Sequence, residues 1–418
     1  MDAPRLAYIL LWFPKPSETF ILGEVANLWK MGLDLKVFTL YGRLTGHLSR
    51  EMRSASHRAE RLGLPYLAHF LKDVAYWFNR RPKLTLHLIK TVVLRTPKGL
   101  EKTGENIWAL LCAFRLARRF LEEGIEHIHA PWANGPATAA WLASRLTGLP
   151  FSFTARAWDI YPPDNLLPDK IAHAVFVRSD TAHNISFLQG LSDGGDDKFH
   201  LTYNGVTLQA EAEAPVYMQP PYRLLALGRF VGKKGYRYLL EACGLMRDEG
   251  IDFRLTLAGD GPEMGRLKRL TGRLGLERLV SFPGFVSHDQ VAELFHQADL
   301  FIMPSVVDSS GDRDGLPLVL MESLLHRVPA VATDVSGIPE LIQDHQTGRL
   351  VSEKNPRALA TAIKGVLMNR EQAIELAECG RRLILRQFDS DANYRLVRDI
   401  FIRYHTQGGT KGRGAQGT

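Results

Sequence analysis

Short unbroken runs of apolar residues alternate along this chain with longer segments whose apolar positions recur every three or four residues. The runs suit strands buried on both faces of a parallel sheet, and the longer segments suit the helices that cover it. In the first half this spacing predicts strands near 7–12, 35–40, 127–130, 151–154, 174–177 and 200–202, with helices near 18–30, 107–123, 136–147 and 179–190. A polar, proline-bearing stretch at 208–222 interrupts the pattern and reads as a linker. The alternation then restarts, with strands near 223–227, 254–258, 280–282, 300–303 and 330–333 and helices near 235–248, 264–274, 288–296, 318–326 and 338–344. Further helices are expected near 356–368, 370–387 and 392–404. The implied class is α/β: two doubly wound domains, 1–207 and 223–387, facing each other across a cleft that takes ligands at the strand C-termini. A helix within 388–405 is expected to pack back on the first domain, and the glycine-rich end, 406–418, to be disordered.

A chain of 418 residues exceeds what one core usually serves, which agrees with two domains. Cys112, Cys243 and Cys379 lie far apart in helical contexts, which argues against a disulfide framework or zinc site and for a reducing, cytoplasmic compartment. No apolar run approaches the roughly 18 residues of a membrane span, and the segment from Leu6 to Phe13 reads as a first strand, not a signal peptide. The net charge of +7 is unevenly placed, because 43–120 holds 16 Lys/Arg against 5 Asp/Glu. Tyr66, Phe70, Tyr76, Trp77, Phe78, Leu84, Leu86, Leu88 and Ile89 are interleaved with those cations. The mixture suits an anionic membrane surface and, equally, an amphipathic helical region with a solvated basic face. No recognisable nucleic-acid module accompanies the charge, so no nucleic-acid partner is expected.

The richest stretch is Asp314-Gly315-Leu316-Pro317-Leu318-Val319-Leu320-Met321-Glu322. It follows a strand ended by Pro304 and enters an apolar helix, which places Asp314 at the helix mouth and Glu322 about two turns inside. Helix N-termini favour anions, so this arrangement suits a ligand with hydroxyls at both ends and phosphates between, as in a nucleotide-sugar. Arg229 and Lys234 flank another strand-to-helix loop, where two cations can clamp a diphosphate. Gly259-Asp260-Gly261-Pro262 is a further junction, whose glycines Gly259 and Gly261 permit close approach of backbone to a ligand. Phe285 and Val286 follow Pro283-Gly284 at the next strand end, where a planar base could be held.

Taken in order, these segments resemble the GT-B glycosyltransferases of family 4, and Ser336-Gly337-Ile338-Pro339-Glu340-Leu341 with Thr347-Gly348 completes the pattern. The likeness covers essentially the whole second domain. The first half resembles the branch that builds bacterial exopolysaccharides such as colanic acid, through the segments 13–20, His127-Ile128-His129-Ala130 and 151–161. The resemblance implies the GT-B fold of two Rossmann-like domains. It also implies retaining transfer of a sugar, of the hexosyltransferase kind, from a nucleotide-diphosphate sugar to a saccharide acceptor. Charge and resemblance together make that acceptor lipid-linked, at the inner face of the plasma membrane. No metal or other cofactor is implied. Glu322 would accept hydrogen bonds from the ribose hydroxyls and Asp314 would touch the transferred sugar. Gly315 and Leu316, ahead of Pro317, would offer backbone N–H groups, and Arg229 and Lys234 would neutralise the departing diphosphate.

Two positions depart from the family pattern. Asp314 stands where glutamate is usual, which shortens its reach, and Arg156 stands where many members carry histidine. Arginine cannot act as a general base at neutral pH, but it could bind an acidic acceptor group or a donor phosphate, with Trp158 beside it. For the acceptor proton, His129 and Asp159 are the side-chain candidates, each with a purely structural alternative, and the donor phosphate itself is a third. Ser17, Glu18 and Thr19 follow the first strand; Ser17 or Thr19 would cap a helix, or the loop would face phosphates or acceptor. Asp312-Arg313-Asp314 has the Asp-X-Asp form of a metal motif, but that motif belongs to a different, single-domain glycosyltransferase fold. A non-catalytic GT-B subunit that binds nucleotide-sugar or glycan is the alternative reading. A dinucleotide-dependent oxidoreductase is disfavoured, since no Gly-X-Gly-X-X-Gly follows the first strand of either domain.

Overall fold

The computed structural model of the chain describes residues 4–16, 18–42, 48–95, 100–192, 194–206, 218–286 and 288–413. It divides into two compact units: Met1–Asp180 with Asn184–Thr202 and Asp391–Thr418, and Thr181–His183 with Tyr203–Ser390. The linker expected at 208–222 lies mostly outside the described residues.

The first unit carries strands β1 (Leu6–Leu10), β2 (Leu35–Thr39), β3 (Ala59–Arg61), β4 (His127–Ala130), β5 (Phe151–Ala155), β6 (Phe176–Ser179) and β7 (Phe199–Leu201). They form one sheet in the order β3-β2-β1-β4-β5-β6-β7, with every pair parallel. The order reverses beside β1, which is the doubly wound arrangement and opens a crevice at the strand C-termini. All five residues of β1 are buried, as a strand covered on both faces requires. In β4 the apolar run is broken by histidines, and the neighbouring strand answers them. His129 pairs in register with Ser152, whose hydroxyl lies 2.6 Å from His127 Nε2 and 2.8 Å from His129 Nδ1.

The basic region forms the helices Arg50–Ser56, Leu67–Arg80, Pro82–Arg95 and Leu100–Glu122. Trp77 turns into the core and donates its indole N–H to the Phe114 carbonyl at 3.0 Å. Asp73 is buried between Arg115 and Arg118, at 3.3 and 3.2 Å. The final helix, Ser390–Arg413, continues into the glycine-rich end that composition marks as disordered. Once a helix is nucleated by packed residues such as Val397 and Phe401, each added residue gains a backbone bond, so it extends past them.

The second unit carries β8 (Tyr222–Leu227), β9 (Phe253–Ala258), β10 (Val280–Ser281), β11 (Leu300–Met303), β12 (Ala330–Thr333) and β13 (Arg349–Val351). Their order is β10-β9-β8-β11-β12-β13, again all parallel. The helices between them bury Leu239, Leu240, Leu320 and Leu324 against the sheet. Among the described residues, no helix is long and apolar enough to cross a membrane.

Candidate functional site

In the second unit the loops that leave β8, β9, β10 and β11 are tied to one another through backbone. Phe230 N donates to Asp260 O at 2.8 Å, Glu263 N to Phe230 O at 3.0 Å, Gly259 N to Gly284 O at 2.8 Å and Val306 N to Lys233 O at 2.8 Å. A Cβ on Gly259 would lie 1.9 Å from the Gly228 carbonyl oxygen, and its φ is +136°. Glycine is therefore required here by loop against loop, a different reason from the ligand approach expected of Gly259. Gly261 is likewise packed against Phe230.

On this platform Asp314 is buried, accepts the Ser305 hydroxyl at 2.5 Å and pairs with Lys234 Nζ at 3.0 Å. Asp312 pairs with Lys233 Nζ at 3.1 Å, so both carboxylates of Asp312-Arg313-Asp314 face lysines. Arg229 is exposed and forms no ion pair among the described residues. Leu316 and Pro317 are buried where the loop enters the helix Leu318–Leu325, and Gly315 is half-buried. Glu322 is the fifth residue of that helix and half-buried, just over one turn inside its mouth and not two. The helix begins at Leu318, because Pro317 takes an extended conformation with ψ of 114° at the cap. Phe285 is 82% exposed, while Val286 leans on the core. From the motif Ser336–Leu341, Glu340 accepts Ala182 N at 3.0 Å, His183 N at 3.2 Å and the Tyr203 hydroxyl at 3.0 Å.

The candidates of the first unit are held differently. His129 is fully buried, and its Nε2 also meets the Thr154 hydroxyl at 3.1 Å. Burial, with the nearby Arg178 charge, holds its pKa well below the ordinary imidazole value. The ring is thus held inside the unit, with both nitrogens engaged by hydroxyls of β5. Asp159 accepts Ala133 N at 2.6 Å and Arg156 N at 2.9 Å, and burial raises its pKa to about 6. It fixes the turn after β5, with one backbone N–H on each carboxylate oxygen. Arg156 is buried against Asp180 at 3.1 Å, with its guanidinium 4.6 Å from the Phe20 ring centroid and 5.5 Å from that of Trp132. Trp158 is 44% exposed, 5.5 Å from Trp132. Glu18 is the N-cap of the helix Thr19–Lys30 but makes no side-chain capping bond, its carboxylate going to Lys15 at 2.7 Å. Thr19 is that helix's first residue, and Ser17 lies outside the described residues.

Residues 213–383 match the family described as "Glycosyl transferases group 1". The chain carries a group 1 glycosyltransferase domain. It is 28% identical over 384 residues, 85% of its length and 89% of the other's, to the Escherichia coli (strain K12) protein named as the colanic acid biosynthesis glycosyltransferase WcaL. It is 30% identical over 186 residues, 44% of its length and 46% of the other's, to the protein of Erwinia amylovora named amylovoran biosynthesis glycosyltransferase AmsK. Among solved structures, Anabaena HepE in complex with UDP and glucose aligns over 95% of this chain and 99% of its own, with a TM-score of 0.66 at 16% identity. The fold of this glycosyltransferase is GT-B.

Sequence reasoning on the enzyme did not reach Ser305, Lys233 or Tyr236. Pro304-Ser305 carries no motif, and Tyr236 reads as one more apolar position on the helix Tyr236–Asp248.

Proposed function

We propose that this glycosyltransferase moves a hexose-type sugar, with retention of anomeric configuration, from a nucleoside-diphosphate donor to a lipid-linked saccharide in the assembly of a bacterial exopolysaccharide. The observation that carries the donor half is the cluster of Lys234, Asp314 and Ser305 beside the helix Leu318–Leu325. Lys234 can exchange its carboxylate partner for a diphosphate, joined by the exposed Arg229. Asp314 is then released to the sugar hydroxyls, and Glu322 meets the ribose. The exposed Phe285 ring gives the base an apolar face. In the transition state negative charge gathers on the leaving diphosphate, and fixed cations act where that charge develops. With two cations in that role the reaction is metal-independent. The donor phosphate takes the acceptor proton, since His129 and Asp159 are both consumed by the first unit's own structure.

The acceptor half rests on the names of the exopolysaccharide relatives and on one surface. Between Leu64 and Arg95 there are six Lys/Arg and a single carboxylate, Asp73, which is buried. Leu64, Leu67, Leu71, Leu86, Val93 and Leu94 are exposed there, by 75%, 51%, 70%, 45%, 59% and 80%. Leu67 and Leu71 share a helix face, as do Leu86, Val93 and Leu94. Arg95 pairs with Asp169, which leaves five cations of the segment without a carboxylate partner among the described residues. Exposed apolar side chains among such cations suit the headgroup region of an anionic bilayer, where a lipid-linked acceptor resides.

Purified protein incubated with a panel of nucleotide-sugars and a membrane lipid extract should release nucleotide from one donor, and Glu322→Ala should abolish that release. No release from any donor by the wild type would end the enzyme reading for that panel. Reversing charge at Arg80, Arg81 and Lys83 should weaken binding to phosphatidylserine vesicles at least about tenfold, at about 1 kcal/mol per near-surface cation. Unchanged binding would leave this face merely solvated.

A further inference from the structure

The helix that follows Lys234 begins with Tyr236, whose ring is buried at 3% exposure and packs edge-on to Phe230 at 5.4 Å. Its hydroxyl is buried and has no hydrogen-bond partner among the described residues. A lone buried hydroxyl costs about 1–3 kcal/mol, where phenylalanine would fill the same space at no such cost. The place it occupies is specific. A Cβ on Gly228 would sit 2.8 Å from the Tyr236 hydroxyl oxygen and 3.5 Å from Lys234 Cε, so both groups border the space that the missing side chain at Gly228 leaves. Burial, and after it the nearby Asp314 carboxylate, push the hydroxyl's pKa well up, so it stays a proton donor. The hydroxyl thus faces the same space at Gly228 as the stem of the ammonium that pairs with Asp314 at 3.0 Å.

We propose that Tyr236 is a further donor-binding residue, whose hydroxyl donates a hydrogen bond to a phosphate oxygen of the nucleoside diphosphate held by Lys234. The class of ligand follows from the chemistry. The hydroxyl is a donor in search of an acceptor, and the ammonium beside it marks where an acceptor-only, anionic oxygen would be drawn. Lys234 pairs with Asp314, and the Tyr236 hydroxyl has no partner among the described residues. This inference rests on reading the second unit as a nucleotide-sugar site.

The test is titration calorimetry of the full chain, wild type and Tyr236→Phe, with UDP, GDP, ADP and dTDP and their monophosphates, together with thermal melting of the apo proteins. For the diphosphate that binds the wild type, Tyr236→Phe should bind about 10- to 100-fold more weakly, the range for one hydrogen bond to a charged group. The loss should be smaller for the monophosphate, and the apo melting temperature should stay level or rise. Unchanged diphosphate affinity would overturn the inference while leaving the donor site in place. Equal losses for both nucleotides with a lowered melting temperature would overturn it in favour of a packing role. Binding of none of the nucleotides by wild type would overturn the donor-site reading itself.

Discussion

Arg178 and Arg229 show how differently the two units use the same side chain. Arg178, in β6, is 1% exposed and donates to Glu24 at 2.8 Å and to the Thr202 hydroxyl at 3.1 Å. Glu24 also accepts the Tyr8 hydroxyl at 3.0 Å, and although burial would raise its pKa, Arg178 and Arg156 hold it below the usual carboxylate value. Arg229, in the loop after β8, is exposed. Both arginines come from the C-terminal half of a parallel sheet, yet one is an internal tie and the other is open to an anion. The lesson is that position at a strand end does not make a charged residue functional. Spare hydrogen-bonding capacity is what a ligand needs, and the second unit has it at Arg229 and Tyr236.

The sharpest way to break this contrast is Arg178→Met. It leaves Glu24 buried without its nearest cation and should cost about 3–5 kcal/mol in denaturant unfolding, as removal of one partner of a buried pair does. A loss below about 1 kcal/mol would show that the network contributes little. Arg229→Ala should do the opposite, slowing sugar transfer about 100-fold while shifting unfolding by no more than about 0.5 kcal/mol. Equal activity would remove Arg229 from the proposed diphosphate site. The smallest effect concerns His129, whose pKa is depressed in the fold. Its contribution to stability is complete above the unfolded value near 6.5 and is lost as pH falls towards the folded value. Between pH 6.5 and 5.5 that loss is about 1 kcal/mol per such histidine. His129→Gln, which does not titrate, should lose less by that amount in guanidinium titrations at the two pH values, and should keep its transferase activity. A collapse of activity would restore His129 as a base.

Most of the architecture was legible because parallel strands buried on both faces leave unbroken apolar runs, as LAYIL in β1 and LFIM in β11 do. The strands missed were β3 and β13, three residues each and half-buried throughout, with no apolar run to give them away. The basic region reads as amphipathic in sequence, but its division into four helices depends on tertiary ties such as Trp77 to Phe114. At the site, carboxylates and cations announce themselves by type and spacing, so Asp314 and Lys234 were visible. Whether a histidine is satisfied depends on hydroxyls 23 and 25 residues away in β5, and spacing along β4 cannot show that. An orphaned hydroxyl such as that of Tyr236 has no sequence signature at all, because it is defined by what fails to approach it.

The mutual backbone bonds among the loops after β8, β9, β10 and β11 have a consequence for how this enzyme can change. A loop that touched only solvent could lengthen or be exchanged without its neighbours registering it. Here an insertion beside Phe230 would pull on Asp260 and Glu263, and one beside Lys233 would pull on Val306. New sugar preferences are therefore open to the lineage mainly through replacement of single side chains at fixed lengths, and a protein engineer who grafts a relative's loop should graft the set.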